Sequence, residues 1–331
     1  MADQNILDDI IKNIGDDPSL AEHDKNTVIK NLARLKETKV NILITGATGC
    51  GKSSTINALF DAEKAKVGQG ADPETMDIAK YELSNIVLFD SPGLGDGKEA
   101  DQRHSKNIMD KLYEKDAKGE LLIDLVLVIL DGSSRDLGTS FELINSVIIP
   151  NLGGDKNRLL IAINQADMAM KGRFWDKELN QPEPELLKFL NEKVDSTRRR
   201  IKEATGVDVE PIYYSAGYKE GNAKQHPYNL SKLLAYILRR TKLEKRIVFA
   251  QDVNKNKEMW QSDDAIEDYR KEIEESWIES AKAAAESGAD IGGIIGKTLG
   301  GPAGEAIGRA AGAVIGGVVS IGRSIWRGIF G

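Results

Sequence analysis

The chain has 331 residues, with 45 basic against 52 acidic side chains and a net charge of −7. That balance argues against a general nucleic-acid binder, and the length allows one domain of about 200 residues plus substantial extra structure. The single cysteine, Cys50, excludes an internal disulfide and points to a reducing, cytoplasmic compartment. Met1–Gln4 lacks the basic and apolar regions of a signal peptide, and no uncharged apolar run reaches the roughly 18 residues of an ordinary transmembrane helix.

Residues 1–38 open the chain as a helical extension. Ile6, Leu7, Ile10, Ile11 and Ile14 recur at helical spacing, Gly15-Asp16-Asp17-Pro18 breaks the pattern, and Val28, Ile29, Leu32 and Leu35 make a second stripe. Two readings stand: a helical hairpin packed on the next domain, and an arm that contacts another copy or the C-terminal helices.

Residues 39–241 alternate strand and helix signals. Lys39–Thr45, Ala79–Leu83, Asn85–Asp90, Leu122–Leu130, Leu159–Asn164 and Val209–Ser215 read as strands. The central ones are continuous apolar runs, as strands buried on both faces are. Helices such as Ser140–Ile149 and Pro184–Ala204 between them predict a doubly wound, mainly parallel α/β sheet. Gly172–Glu185 reads as a loop before the second of these helices.

The first strand runs into Gly46-Ala47-Thr48-Gly49-Cys50-Gly51-Lys52-Ser53, followed by a helix-like segment from Ser54 to Phe60. This fits Gly-x-x-x-x-Gly-Lys-Ser in the strand–loop–helix context of a phosphate-binding loop. Gly46, Gly49 and Gly51 let consecutive N–H groups, including those of Cys50 and Ser54, curl around a phosphate. The helix that begins near Gly51 points its positive end at the anion. Lys52 neutralises the β- and γ-phosphates and the Ser53 hydroxyl ligates Mg²⁺. Cys50 reads either as a small residue that fits or as a redox-sensitive thiol. The strand ending at Asp90 lies 38 residues after Lys52 and leads into Ser91-Pro92-Gly93-Leu94. A carboxylate there can hold Mg²⁺ through water, and the Gly93 N–H can contact the γ-phosphate.

Asn164-Gln165-Ala166-Asp167 ends a later strand. It is similar to the Asn-Lys-x-Asp motif of GTPases, with glutamine for lysine. Asp167 can accept from guanine N1–H and the exocyclic amine, a donor pair that adenine lacks. Asn164 would tie this loop to the phosphate loop, and Gln165 covers the base less well than a lysine stem. Ser215-Ala216-Gly217 resembles Ser-Ala-Lys, whose alanine N–H binds guanine O6.

Four motifs in this order resemble a TRAFAC-class GTPase of the Era-like and septin-like group. The segment Gly46–Leu59 is similar to the immunity-related GTPases and to bacterial YeeP/YfjP-type proteins described as 50S ribosome-binding GTPases. The resemblance covers about residues 38–241. It implies the Ras-like P-loop NTPase fold, GTP and GDP as ligands, and Mg²⁺. It also implies a switch I threonine between Asp61 and Met76, for which Thr75 is the one candidate. Lys52, Thr75 and Gly93 are then the catalytic set, and Ser53, Thr75 and Asp90 the metal set. Leu94 stands where Ras-like enzymes use a glutamine to orient the attacking water, and Gly49 where some relatives use an asparagine to bind K⁺. Hydrolysis is therefore expected to be slow without a partner or a second copy. Arg103 and His104 follow switch II and are candidates by position for the missing group, with a solvated helix face the expectation for both. Arg198-Arg199-Arg200 reads as a solvated face or as a phosphate or RNA contact.

Beyond Thr241 the composition shifts. Residues 242–286 read as Glu- and Lys-rich helices carrying Trp260, Tyr269, Ile273 and Trp277. In residues 287–331 glycine recurs every four residues from Gly288 to Gly316, the pattern of a glycine zipper. Glycine disfavours an isolated helix by about 1 kcal/mol per residue, so the pattern makes sense where backbones approach closely. Three readings compete: a soluble helical hairpin turning at Gly300-Gly301-Pro302, a membrane-surface hairpin, and a homo-oligomer interface. Lys297, Glu305 and Arg309 argue against a permanent span. The whole is expected to be a nucleotide-dependent switch. The alternatives are a membrane-interacting or self-assembling protein and a ribosome-assembly GTPase. No RNA-binding domain is recognisable in the tail, which disfavours ribosome or RNA as partner.

Overall fold

Among the described residues the apolar runs become the centre of a seven-stranded sheet, in the order β2 (Lys66–Gly68), β3 (Ala79–Glu82), β4 (Ile86–Asp90), β1 (Val40–Gly46), β5 (Leu125–Asp131), β6 (Leu159–Asn164) and β9 (Ile212–Tyr213). The computed structural model describes residues 8, 11–12, 15–16, 18, 22–60, 66–68, 78–93, 97–220, 223–286 and 326–327. Strands β1 (Val40–Gly46), β4 (Ile86–Asp90), β5 (Leu125–Asp131) and β6 (Leu159–Asn164) lie side by side and parallel. Their side chains are buried on both faces, which is why they read as unbroken hydrophobic runs rather than as alternation. At one edge β2 (Lys66–Gly68) and β3 (Ala79–Glu82) add antiparallel strands. The fold is the doubly wound, mainly parallel α/β architecture expected. Thr75, Leu94 and the glycine ladder lie outside the described residues.

Helix α1 is Glu22–Lys36, α2 Lys52–Phe60, and α3 Lys98–Tyr113. Helix α4 begins at Gly138–Glu142 and passes through a π-helical stretch, Leu143–Ile148, to Ile149–Asn151. Helices α5 (Pro184–Thr205), α6 (Leu230–Arg240), α7 (Phe249–Asp252) and α8 (Tyr269–Glu286) follow.

Three sequence expectations change. Val209–Ser215 contributes only Ile212–Tyr213 (β9) to the sheet. Pro211 has no N–H to offer a ladder, and Ser215 instead pairs with Tyr228 through N–H···O bonds of 3.0 and 2.9 Å. The segment read as switch I contains β2, paired with β3. The loop 172–185 holds a small hairpin, β7 (Trp175–Asp176) with β8 (Gln181–Pro182). Positive φ at Phe174 turns the chain into it, and positive φ at Asn180 completes its turn.

The C-terminal helices are built into the domain at the sheet end remote from the phosphate loop. The Asp252 carboxylate accepts the backbone N–H groups of Ser84, Asn85 and Ile86 at 3.1, 2.6 and 2.7 Å, clasping the β3–β4 turn. Asn254 satisfies the last carbonyls of α2: its N–H donates to Leu59 O at 2.7 Å and its amide to Ala58 O at 3.2 Å. Trp260, Tyr269, Ile273 and Trp277 fall in one hydrophobic cluster with Ile42 and Ile44 of β1 and Ile56 of α2. Trp326, near the chain end, also packs on this cluster.

Candidate nucleotide site

β1 delivers the loop 47–51, and α2 opens at Lys52 with Ser53 and Ser54 exposed at its N-terminus. The Lys52 ammonium turns onto the loop itself, donating to Ala47 O at 3.3 Å and Gly46 O at 3.4 Å. The first N–H groups of α2 have no partner within the helix, so the loop and helix end offer donors and positive charge to an anion. Cys50 points into the core, fully buried, and burial pushes its thiol up to about 11. A buried, protonated thiol is a poor nucleophile, which favours the small-residue reading over the redox one.

Asp90 ends β4 beside this loop. Its Oδ1 is buried without a hydrogen-bond partner. Burial pushes the carboxyl up to about 6, with the Lys52 charge opposing. A buried carboxylate oxygen left unpartnered next to an ammonium fits a divalent-cation site completed by water, by the Ser53 hydroxyl and by phosphate oxygens. The folded pKa lies above the unfolded one, so ionised Asp90 costs stability at pH above about 6, and the cost fades as pH falls toward the unfolded value near 4. Without ligands, Asp90→Asn is expected to raise Tm at pH 7.5 and to leave it unchanged near pH 4. Thermal melts at the two pH values check this; a loss of Tm at pH 7.5 refutes it. Among the described residues no group of three or more His, Cys, Asp and Glu could hold a metal by itself.

β6 ends at Asn164, and Gln165 takes a left-handed conformation, φ 59°, that turns the chain toward the phosphate loop. Asn164 joins three segments: its amide donates to Cys50 O at 2.9 Å, and its Oδ1 accepts the Ala216 N–H at 3.0 Å. The Gln165 amide donates to Gly49 O at 2.7 Å. Ser215 Oγ donates to Asp167 Oδ1 at 2.6 Å, so the carboxylate is held at one oxygen. Asp167 is 6% exposed. Gly217 stands in place of a lysine for a tertiary reason. Its φ is +71°, and a Cβ there would lie 2.4 Å from Gln225 O, because a hairpin of β10 (Tyr218–Glu220) and β11 (Ala223–Gln225) folds back over it.

Several supporting residues escaped the sequence reading. Thr55 Oγ1 and the Tyr214 hydroxyl meet at 2.6 Å in the core, linking α2 to the segment before Ser215. Ser91 Oγ donates to Thr45 Oγ1 at 2.8 Å, linking β4 to β1. The Lys193 ammonium donates to Gly132 O at 2.7 Å and Ser134 O at 2.6 Å, bracing the loop after β5, whose Gly132 N–H donates to Asn164 O at 2.7 Å. A lysine on the same stripe as Leu186, Leu190 and Thr197 was the signal that could have found it. His104 is buried, against the expectation of a solvated face, and its Nδ1 bonds Gly93 O at 3.2 Å; Arg103 is exposed. In the basic run, Arg198 pairs with Asp208 at 2.7 Å and Arg200 covers the Phe141 ring at 4.4 Å, which occupies both within the domain.

Residues 41–165 match the family model described as 50S ribosome-binding GTPase. Translocase of chloroplast 125 of Physcomitrium patens is 40% identical over 103 residues, covering 29% of this chain and 9% of that protein. Interferon-gamma-inducible GTPase 10 of Mus musculus is 37% identical over 70 residues, covering 19% of this chain and 17% of that protein. The matches thus span less than a fifth of these relatives. Among solved structures, Arabidopsis thaliana Toc33 with Mg²⁺ and GMPPNP has a TM-score of 0.38 at 14% identity, covering 65% of this chain and 85% of that one. The LeoA bacterial dynamin GTPase from ETEC has a TM-score of 0.38 at 11% identity, covering 95% and 45%.

Proposed function

We propose, on the premise that residues 41–165 form a GTPase domain of the 50S ribosome-binding GTPase type, that this chain is a cytoplasmic guanine-nucleotide switch with slow, Mg²⁺-dependent GTP hydrolysis. The observation that carries the reading is the Asn164 junction, which bonds Cys50 of the phosphate loop and Ala216 of the last motif at once. Three segments far apart in sequence are thereby fastened together at the strand C-termini.

In this reading Lys52 and the N–H groups of Gly49 to Ser54 bind the phosphates. Ser53, Thr75 and Asp90 would hold Mg²⁺, which neutralises charge on the β- and γ-phosphates when bound. The Gly93 N–H meets the γ-phosphate and reports its loss. Asp167 keeps Ser215 on one oxygen and accepts the guanine donors. Gln165 closes over the phosphate loop, and the Ala216 N–H turns from Asn164 Oδ1 to guanine O6. Leu94 supplies no hydrogen bond to water, so turnover depends on a group from elsewhere. Single-turnover hydrolysis on the order of 10⁻³ s⁻¹ or slower at low protein concentration is expected. A rate on the order of 1 s⁻¹ without partner or added protein would overturn the slow-hydrolysis reading.

A second reading, membrane contact or self-assembly through residues 287–331, rests on the glycine repeat and on the excess of four basic over two acidic residues in that segment. No helix among the described residues is long and apolar enough to cross a membrane. Liposome flotation and sedimentation with GTP analogue against GDP, with and without 287–331, separate this from a soluble switch. Behaviour independent of both nucleotide and tail refutes it. Ribosome binding has only the family description in its favour.

A further inference from the structure

The contact between His104 and Gly93 is built, not incidental. His104 lies on the buried side of α3, 5% exposed, eleven residues along the chain from its partner. A carbonyl oxygen only accepts, so Nδ1 carries the hydrogen, and the bond holds the Gly93 carbonyl from behind. From the front Gly93 rests on the phosphate loop. A Cβ at this position would lie 2.2 Å from Thr48 Oγ1 and 2.5 Å from Thr48 N and Cα, so only glycine permits this approach. A continuous line of contact therefore runs from the phosphate loop through Thr48 and Gly93 to His104 and α3, which is itself anchored in the core by Ile108 and Leu112.

We propose that His104 is a positioning residue for γ-phosphate recognition: by holding the Gly93 carbonyl it presets the glycine for its contact with the third phosphate, and so sets the preference for GTP over GDP from α3. This rests on the reading of Gly93 as the γ-phosphate contact. Glycine loses more conformational freedom than any other residue when it is fixed. With His104 in place that freedom is removed in folding. Without it, the loss falls on GTP binding, while GDP, which lacks the γ-phosphate, is unaffected.

The test measures equilibrium affinity for GDP and for a non-hydrolysable GTP analogue, in the full chain with Mg²⁺, for wild type, His104→Ala, His104→Asn and His104→Gln. An asparagine amide N–H falls near the position of Nδ1–H, whereas a glutamine amide reaches to the position of Nε2. His104→Ala is expected to lower the analogue-to-GDP affinity ratio about tenfold with GDP affinity unchanged. His104→Asn restores most of the ratio, and His104→Gln does not. If His104→Ala does not fold, the Asn and Gln variants carry the same contrast. An unchanged ratio in His104→Ala, or equal rescue by Asn and Gln, overturns the role of His104 alone. Wild type that binds neither nucleotide overturns the nucleotide-switch reading and this inference with it.

Discussion

Asp167→Asn should weaken GTP binding by on the order of 10²- to 10³-fold and at the same time create affinity for xanthosine triphosphate. Two hydrogen bonds from the base to a carboxylate contribute roughly 1.5–3 kcal/mol each, and an amide that offers a donor to the guanine amine replaces one attraction by a repulsion. Xanthine carries a carbonyl where guanine carries that amine, so the new Asn N–H gains an acceptor. The geometry fixes which way the amide must face. Ser215 Oγ donates to Asp167 Oδ1 at 2.6 Å, so the amide oxygen of the variant stays toward Ser215 and its nitrogen toward the base. Stability should change little, since the Ser215 bond survives. Nucleotide competition against a fluorescent GDP analogue reads both effects. GTP affinity unchanged, with no gain for xanthosine triphosphate, would show that Asp167 does not read the base.

Trp277→Ala should cost about 3–5 kcal/mol of global stability, a large part of the 5–15 kcal/mol a domain has. Trp277 lies in α8, far along the chain from the nucleotide motifs, yet it is fully buried in the cluster that also holds Ile42, Ile44 and Ile56. Truncation removes its contacts and leaves a cavity that the elements packed on α8, namely α1, α6 and the turn 243–248, cannot close without moving. The Asp252 clasp on the β3–β4 turn and the Asn254 cap on α2 tie the same region together by hydrogen bonds. Urea unfolding followed by circular dichroism and by release of a fluorescent nucleotide should give one coincident transition in wild type, shifted as a whole in the variant. A variant whose nucleotide-release midpoint stays in place would show that residues 242–286 fold as a separate unit.

How much of this could be read without coordinates divides along one physical line. The phosphate loop was legible because its chemistry is local: eight consecutive residues set the backbone, the lysine and the hydroxyl, and the flanking apolar runs announce a strand and a helix. Asp90 was legible for the same reason, a carboxylate at the end of a run too apolar to be anything but a buried strand. The doubly wound sheet followed from the alternation of such runs with helical stripes. The two departures from motif, Gln165 and Gly217, were visible as departures, but their reasons were not. Gln165 spans to Gly49 O, and Gly217 makes room for Gln225 O in a hairpin that no periodicity predicted.

The contacts of His104, Lys193 and Tyr214 are not legible in the sequence because a side chain's worth depends on what the fold places opposite it. On a helix map His104 and Arg103 are equivalent neighbours; in the structure one is exposed and the other is locked to Gly93. Thr55 and Tyr214 are 159 residues apart and share a buried hydrogen bond. The sequence by itself determined the loop 46–53 and the carboxylate at Asp90, because each pattern needs only neighbouring residues. The tertiary structure alone decided how Asn164, Gln165 and Ala216 are held to that loop and which residue stands behind Gly93, because those contacts arise only when packing brings distant segments within hydrogen-bond reach.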